Sequence, residues 1–412
     1  MSFRASLIIL NVVALAVVAG VIVYRVVSLR RNPEARPPAN VAEGMPDEDL
    51  EGRKLERVLG WALIFTIIIA VALPLYFLVE PQREARAKDA FLERSIERGA
   101  VLFANDQSPH YDSTTSLLCA NCHGVDGKGG TATFTLQPES DECLKEENKN
   151  NVNKPECLPK QVIWSAPDLT LAGLRYDRGQ LTDIITYGRP GTPMPAWGVK
   201  SGRGSKNEQS IQDLVNYVES IKTTPEKAQA DAAKAIGKYK QDARALVDQK
   251  QKDLEDAQAA LAKAQSDPKS TPKAIQDAQA AVATAQAELA KAIAYRDDVL
   301  AQTDGGILFR LSCARCHTKG WSYYMNEPAR LDLPPLPPQG SGAYGPALNN
   351  GAELLQFPGE AGRQQQIDWV AVGVPAHNQY GVRGISTGSM PHFGQVLTDK
   401  QIREIVDYER SL

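Results

Sequence analysis

The sequence predicts a mainly α protein. It should contain two N-terminal transmembrane helices, one helical domain type that occurs twice, and an inserted antiparallel helical hairpin between the copies. Three observations in the 412 residues carry this prediction. Two long apolar runs without charge lie near the N-terminus. A fixed order of short motifs appears twice. Between the two appearances lies a low-complexity stretch with heptad spacing. A formal net charge of −3 argues against a nucleic-acid-binding protein, which would show a basic face.

The anchor comes first. Ser6 to Tyr24 is a run of 19 residues with no charge and one amide, Asn11, and Leu59 to Val79 is a run of 21 with no charge at all. Each is long enough for a hydrocarbon core of about 30 Å. The predicted helices cover about residues 6–27 and 59–79, within an anchor of residues 1–79. A cleaved signal peptide is the alternative for the first run, which lacks a clear small-residue cleavage site. Pro74 is expected to kink the second helix. The connecting loop carries Arg30, Arg31, Arg36, Arg53, Lys54 and Arg57, whereas the N-terminal tail carries only Arg4. That bias makes the loop cytoplasmic and places the chain from about Glu80 onward outside. Residues 80–94 are charged and helix-forming and read as a connector continuing the second helix.

The repeated block follows. Its first copy has Gly99 and Phe103, then Cys119-Ala120-Asn121-Cys122-His123, Pro167-Asp168-Leu169, Met194-Pro195, and a closing helix from Ile211 to Ile221. Its second copy has Gly305 and Phe309, then Cys313-Ala314-Arg315-Cys316-His317, Pro346-Ala347-Leu348, Met390-Pro391, and a closing helix from Asp399 to Leu412. The closing helices match locally, Asp213-Leu214-Val215-Asn216-Tyr217 against Glu404-Ile405-Val406-Asp407-Tyr408. Domains are therefore expected at 95–222 and 303–412. The first contains a polar insert, 131–160, with the two remaining cysteines, Cys143 and Cys157. In an oxidising compartment these form a disulfide, worth about 3 kcal/mol in the loop-entropy model. Two unpaired thiols are the alternative.

Residues 223–302 are rich in Ala, Lys, Asp and Gln. Val247, Leu254 and Leu261 recur every seven residues, with Ala243, Lys250, Ala257 and Ala264 between them. Ile275, Val282 and Leu289 alternate likewise with Ala278, Ala285 and Ala292. Large residues facing alanines make a close-packed coiled-coil seam. Asp267-Pro268 and Thr271-Pro272 mark the turn. A loose charged linker is the alternative.

C-x-x-C-H is the attachment signature of c-type haem. Two thiols add across the vinyl groups, and the adjacent imidazole binds iron from one face. Zinc would need its ligands close together, and the two pentads are nearly 200 residues apart. A thioredoxin-like redox pair does not call for the histidine. Two covalently bound haems c follow, held by Cys119, Cys122 and His123, and by Cys313, Cys316 and His317. Attachment of c-type haem takes place on the outer membrane face, the same side that the basic residues indicate.

The sixth iron ligand decides between electron transfer and open-site chemistry. Of five methionines, Met194 and Met390 each lie about 70 residues after their histidine in a Gly-rich loop. They are the expected axial ligands. The alternative for each is core filler. His392 and His377 lie near Met390 and compete with it; His110 reads as surface. Pro167 and Pro346 are candidates to present the carbonyl that orients each ligating imidazole.

In this order, and twice over, the motifs resemble class I cytochrome c domains. The resemblance covers about Ser95–Ile221 and Asp304–Leu412. It implies two class I cytochrome c domains and electron transfer in a respiratory chain. Trp369 to Gly394 looks like dihaem cytochrome subunits of bacterial quinol-oxidising bc-type complexes. That likeness implies an electron-transfer subunit of an oxidoreductase complex in the cell membrane. Its expected partners are cytochrome b and Rieske subunits, and a soluble electron carrier. The dihaem subunit of a cbb-type heme-copper oxidase is the runner-up. A dihaem peroxidase would need an open iron site, and the two methionines argue against it. A scaffold in which the hairpin docks a partner complex is the non-redox alternative.

Overall fold

The computed structural model describes residues 3–31, 40, 51–138, 141–145, 153–154, 157–373 and 390–412. The chain forms two compact units, Met1–Ala85 and Arg86–Leu412.

The first unit is helical. Helix α1 runs Phe3–Arg31, and α2 starts at Arg53 and continues to Phe103 in the second unit. Among the described residues, α2 alone is long and apolar enough to cross a bilayer, with a mean hydropathy of 2.7 over its most apolar window. A shorter apolar stretch, Ala16–Ser28, lies in α1. Helix α2 continues through Pro74 and Pro81, so neither proline ends it. Residues 80–94 are part of this one helix.

In the second unit, the last turns of α2 pack on α7 (Glu208–Ser220), with α3 (Ala120–His123), α5 (Ala172–Arg175) and α6 (Arg178–Tyr187) completing the first block. The helices cross at Gly99, where a Cβ would lie 2.1 Å from the Asp213 carbonyl oxygen. Only glycine allows backbones this close. One turn on, the rings of Phe103 and Tyr217 are 5.1 Å apart. Asp213 receives Ser95 Oγ at 2.5 Å and Arg98 Nε at 2.7 Å, which ties the crossing together.

The polar insert differs from expectation. It opens and closes with strands, β1 (Gly130–Leu136) and β2 (Lys160–Ala166), paired antiparallel from Gly130↔Ala166 to Leu136↔Lys160. A short helix, α4 (Asp141–Leu144), follows β1. Cys143 and Cys157 are joined by a disulfide with Cα atoms 5.0 Å apart.

Helices α8 (Pro225–Ser266) and α9 (Pro272–Ala301) lie antiparallel. Lys250 Nζ reaches Glu288 Oε2 at 2.6 Å, and Tyr295 Oη donates to Tyr239 Oη at 2.8 Å. The seam alanines Ala243, Ala285 and Ala292 are buried, as is Leu254. Thr224 and Thr271 cap the two helices, each followed by proline at the first helical position.

The second block repeats the crossing. Helix α10 (Asp304–Ser312) packs on α15 (Asp399–Glu409), and a Cβ at Gly305 would lie 1.9 Å from the Glu404 carbonyl oxygen. Phe309 and Tyr408 are 5.4 Å apart. Between them come α11 (Ala314–His317), α12 (Trp321–Tyr324), α13 (Ala352–Gln356) and α14 (Gly359–Val372). Most of Trp369 to Gly394, from 374 to 389, lies outside the described residues.

Candidate haem sites

In the first block, Cys119 caps α3, and its carbonyl accepts from Cys122 N at 3.1 Å and His123 N at 3.0 Å. One turn therefore carries both thiols and the imidazole. His123 is 9% exposed, and its Nδ1 lies 3.1 Å from the Pro167 carbonyl oxygen. A carbonyl can only accept, so Nδ1 holds the proton and Nε2 keeps its lone pair for iron. Burial lowers the His123 pKa, the Pro167 hydrogen bond opposes this, and the charge of Arg315 adds to the lowering. The ring is thereby held neutral, the form that ligates. Pro167 is delivered by the ribbon. Its strand β2 ends at Ala166, and Gly129, at φ +90°, leaves room for the chain at 166–168 to pass.

The second block repeats this arrangement. Cys316 N and His317 N both donate to the Cys313 carbonyl at 3.0 Å. His317 Nδ1 lies 2.9 Å from the Pro346 carbonyl oxygen. Burial lowers the His317 pKa, opposed by that hydrogen bond. A Cβ at Gly345 would stand 2.6 Å from His317 Cε1, so glycine is what lets the ring rest on this loop.

The donor sets fit haem c. Cys119, Cys122, Cys313 and Cys316 form no disulfide. Burial pushes the Cys119 thiol up to about 12 and raises Cys122 and Cys313 as well. Catalytic redox thiols are shifted the other way. Among the described residues no cluster of three or more His, Cys, Asp or Glu could hold a metal. When bound, haem supplies a one-electron iron couple; the protein's part is to fix the imidazole and control access to it.

Met194 is half-buried in the loop after α6, its N donating to Thr192 Oγ1 at 3.2 Å and its O accepting from Arg189 N at 3.0 Å. Met390 is half-buried against the apolar core of the second block. His392, its competitor, has Nδ1 3.1 Å from the Val372 carbonyl oxygen. His377 lies outside the described residues, and His110 is exposed. The residue that sequence reasoning missed is Arg315. It lies between the second pair of cysteines, yet its charge is felt at His123.

Residues 96–222 match the family model described as Cytochrome c. This segment is thus a cytochrome c domain, which carries covalently bound haem c and makes the chain a haem electron-transfer protein. No curated protein and no solved structure matches the chain.

Proposed function

We propose that the chain is a membrane-anchored dihaem cytochrome c whose haem domains face the outer side of the membrane. The observation that carries this reading is the repetition of the pentad turn and its imidazole–carbonyl contact in the second block. His317 meets the Pro346 carbonyl as His123 meets that of Pro167, and each block has a glycine helix crossing followed by a Phe–Tyr contact. Met194 and Met390 serve as sixth ligands, which favours electron transfer over peroxidase chemistry. Helix α2, with α1 before it, supplies the anchor.

The test is haem stoichiometry. Pyridine haemochrome and intact mass should give two haems per chain. Cys313→Ser with Cys316→Ser should give one, with the first site's spectrum unchanged. One haem in the wild-type chain would sink the dihaem reading.

The leading host is a quinol–cytochrome c reductase of the bc type, with a cbb-type heme-copper oxidase second. Optical difference spectra of the complex that co-purifies from detergent-solubilised membranes separate them. A b-type signal with a Rieske protein indicates the reductase, and a CO-binding high-spin haem with copper indicates the oxidase.

A further inference from the structure

Strand β2 serves both blocks. Directly after it, Pro167 faces His123. Along its length it receives the second block. Arg315 Nη1 donates to the Ser165 carbonyl at 2.7 Å, Ser165 Oγ donates to Asn326 Oδ1 at 2.8 Å, and Asn326 Nδ2 donates to the Ile163 carbonyl at 2.6 Å. The rings of Trp164 and Tyr323 lie 5.8 Å apart on the same seam. Arg315 is thus anchored two residues before the proline that orients the first imidazole. Burial opposes its charge, as do the like charges of Arg175 and Arg189, and among the described residues it forms no ion pair. A guanidinium stays charged at any working pH. Holding one here, half-buried and beside two others, is unfavourable unless something gains from its field.

We propose that Arg315 is a positioning residue of the first haem site, lent across the domain seam by the second pentad. Its fixed charge, brought to the imidazole side of the site through Ser165, favours the more electron-rich, reduced state of the haem held by Cys119, Cys122 and His123. The inference rests on the haem reading of the first pentad and does not need the second pentad to be loaded. It also gives the ribbon a purpose: one strand sets both the imidazole's partner and the distance of the foreign charge.

The test is spectroelectrochemical titration of the full chain in detergent. A Met390→His background moves any second haem to lower potential and separates the waves. Arg315→Gln should shift the first haem's redox equilibrium toward the oxidised form by about three- to tenfold. That is roughly 30–60 mV at 59 mV per decade for one electron. Arg315→Lys, which keeps the charge, should recover most of the shift. Arg315→Met is the second neutral variant if Arg315→Gln does not accumulate. An unchanged first-haem potential, an equal fall in the Gln and Lys variants, or accumulation of the Lys variant alone would assign Arg315 to packing and overturn the proposal. Absence of haem at Cys119 and Cys122 in the wild-type chain is a different failure, that of the haem reading itself.

Discussion

Glu409, 4% exposed in the last turn of α15, accepts a hydrogen bond from Gln366 Nε2 at 3.0 Å. Burial, and then the like charge of Glu353, push its carboxyl up to about 8, against the pull of Gln366. An unfolded glutamate titrates near 4.3, so between about 4 and 8 the folded chain holds a proton that the unfolded chain has lost. The stability this group contributes is full below that window and falls as pH rises through it. Melting of the full chain should therefore weaken from pH 5 to pH 8.5, and Glu409→Gln should flatten the decline. Equal slopes for the two proteins would contradict the assignment. Other residue-scale features are easier to read in sequence. The pentads are visible because attachment demands a fixed local spacing, and Pro167 and Pro346 because each follows its pentad in the same order. Arg315 is not visible, because its anchor, Ser165, is 150 residues away and nothing local distinguishes it from a solvated arginine.

Helix periodicity was the most legible signal at the level of elements. The heptads of 243–264 and 275–292 mark the positions that α8 and α9 turn toward each other. Ala292 is 0% exposed there, and a larger side chain has no space. Ala292→Leu should lower hairpin stability by about 1–3 kcal/mol, the usual cost of overpacking. The exposed Ala280→Leu should leave it unchanged, with thermal melts of both variants as the check. The ribbon was less legible. Thr131 to Leu136 alternates small or polar residues with Phe134 and Leu136, which is a strand pattern. Its partner segment, Lys160–Ala166, lies beyond a polar stretch rich in Glu, Asn and Lys, so composition marks the segment only as a polar insert. Pairing across that distance is a tertiary fact, set by Gly130↔Ala166 at the haem end.

Across the second unit, both blocks and the hairpin share contacts. Leu174 of the first block, Ala228 of α8 and Val396 of the second block form one small apolar cluster. Arg175 lies over the Phe393 ring at 4.6 Å, and its carbonyl accepts from His392 N at 3.2 Å. Tyr344 Oη donates to the Gly191 carbonyl at 3.2 Å, joining the two loops that lead to or follow the haem-site residues. The two blocks are marked by motif order in the sequence, whereas the seam between them is not. Besides Arg315 of the second pentad, it is made of side chains such as Asn326 and Tyr344 that belong to no motif.

The two arms of the hairpin are unequal, 42 residues in α8 against 30 in α9. Given the pairing of Tyr239 with Tyr295, eight of the twelve surplus residues fall at the root, roughly two turns or about 12 Å. There Ala232 and Ile236 pack against the second block's core, next to the Ala228 cluster. The base of the hairpin is thus a wedge that sets the spacing of the two blocks, and the far end is free to vary in length. Removing one heptad from each arm, residues 257–263 with 275–281, should leave the absorption spectrum and the melting of the blocks unchanged. Removing all of 225–302 should loosen them. Evolution could lengthen or shorten such an arm in steps of seven without retuning the electron path, as a crane's boom is changed without moving its footing.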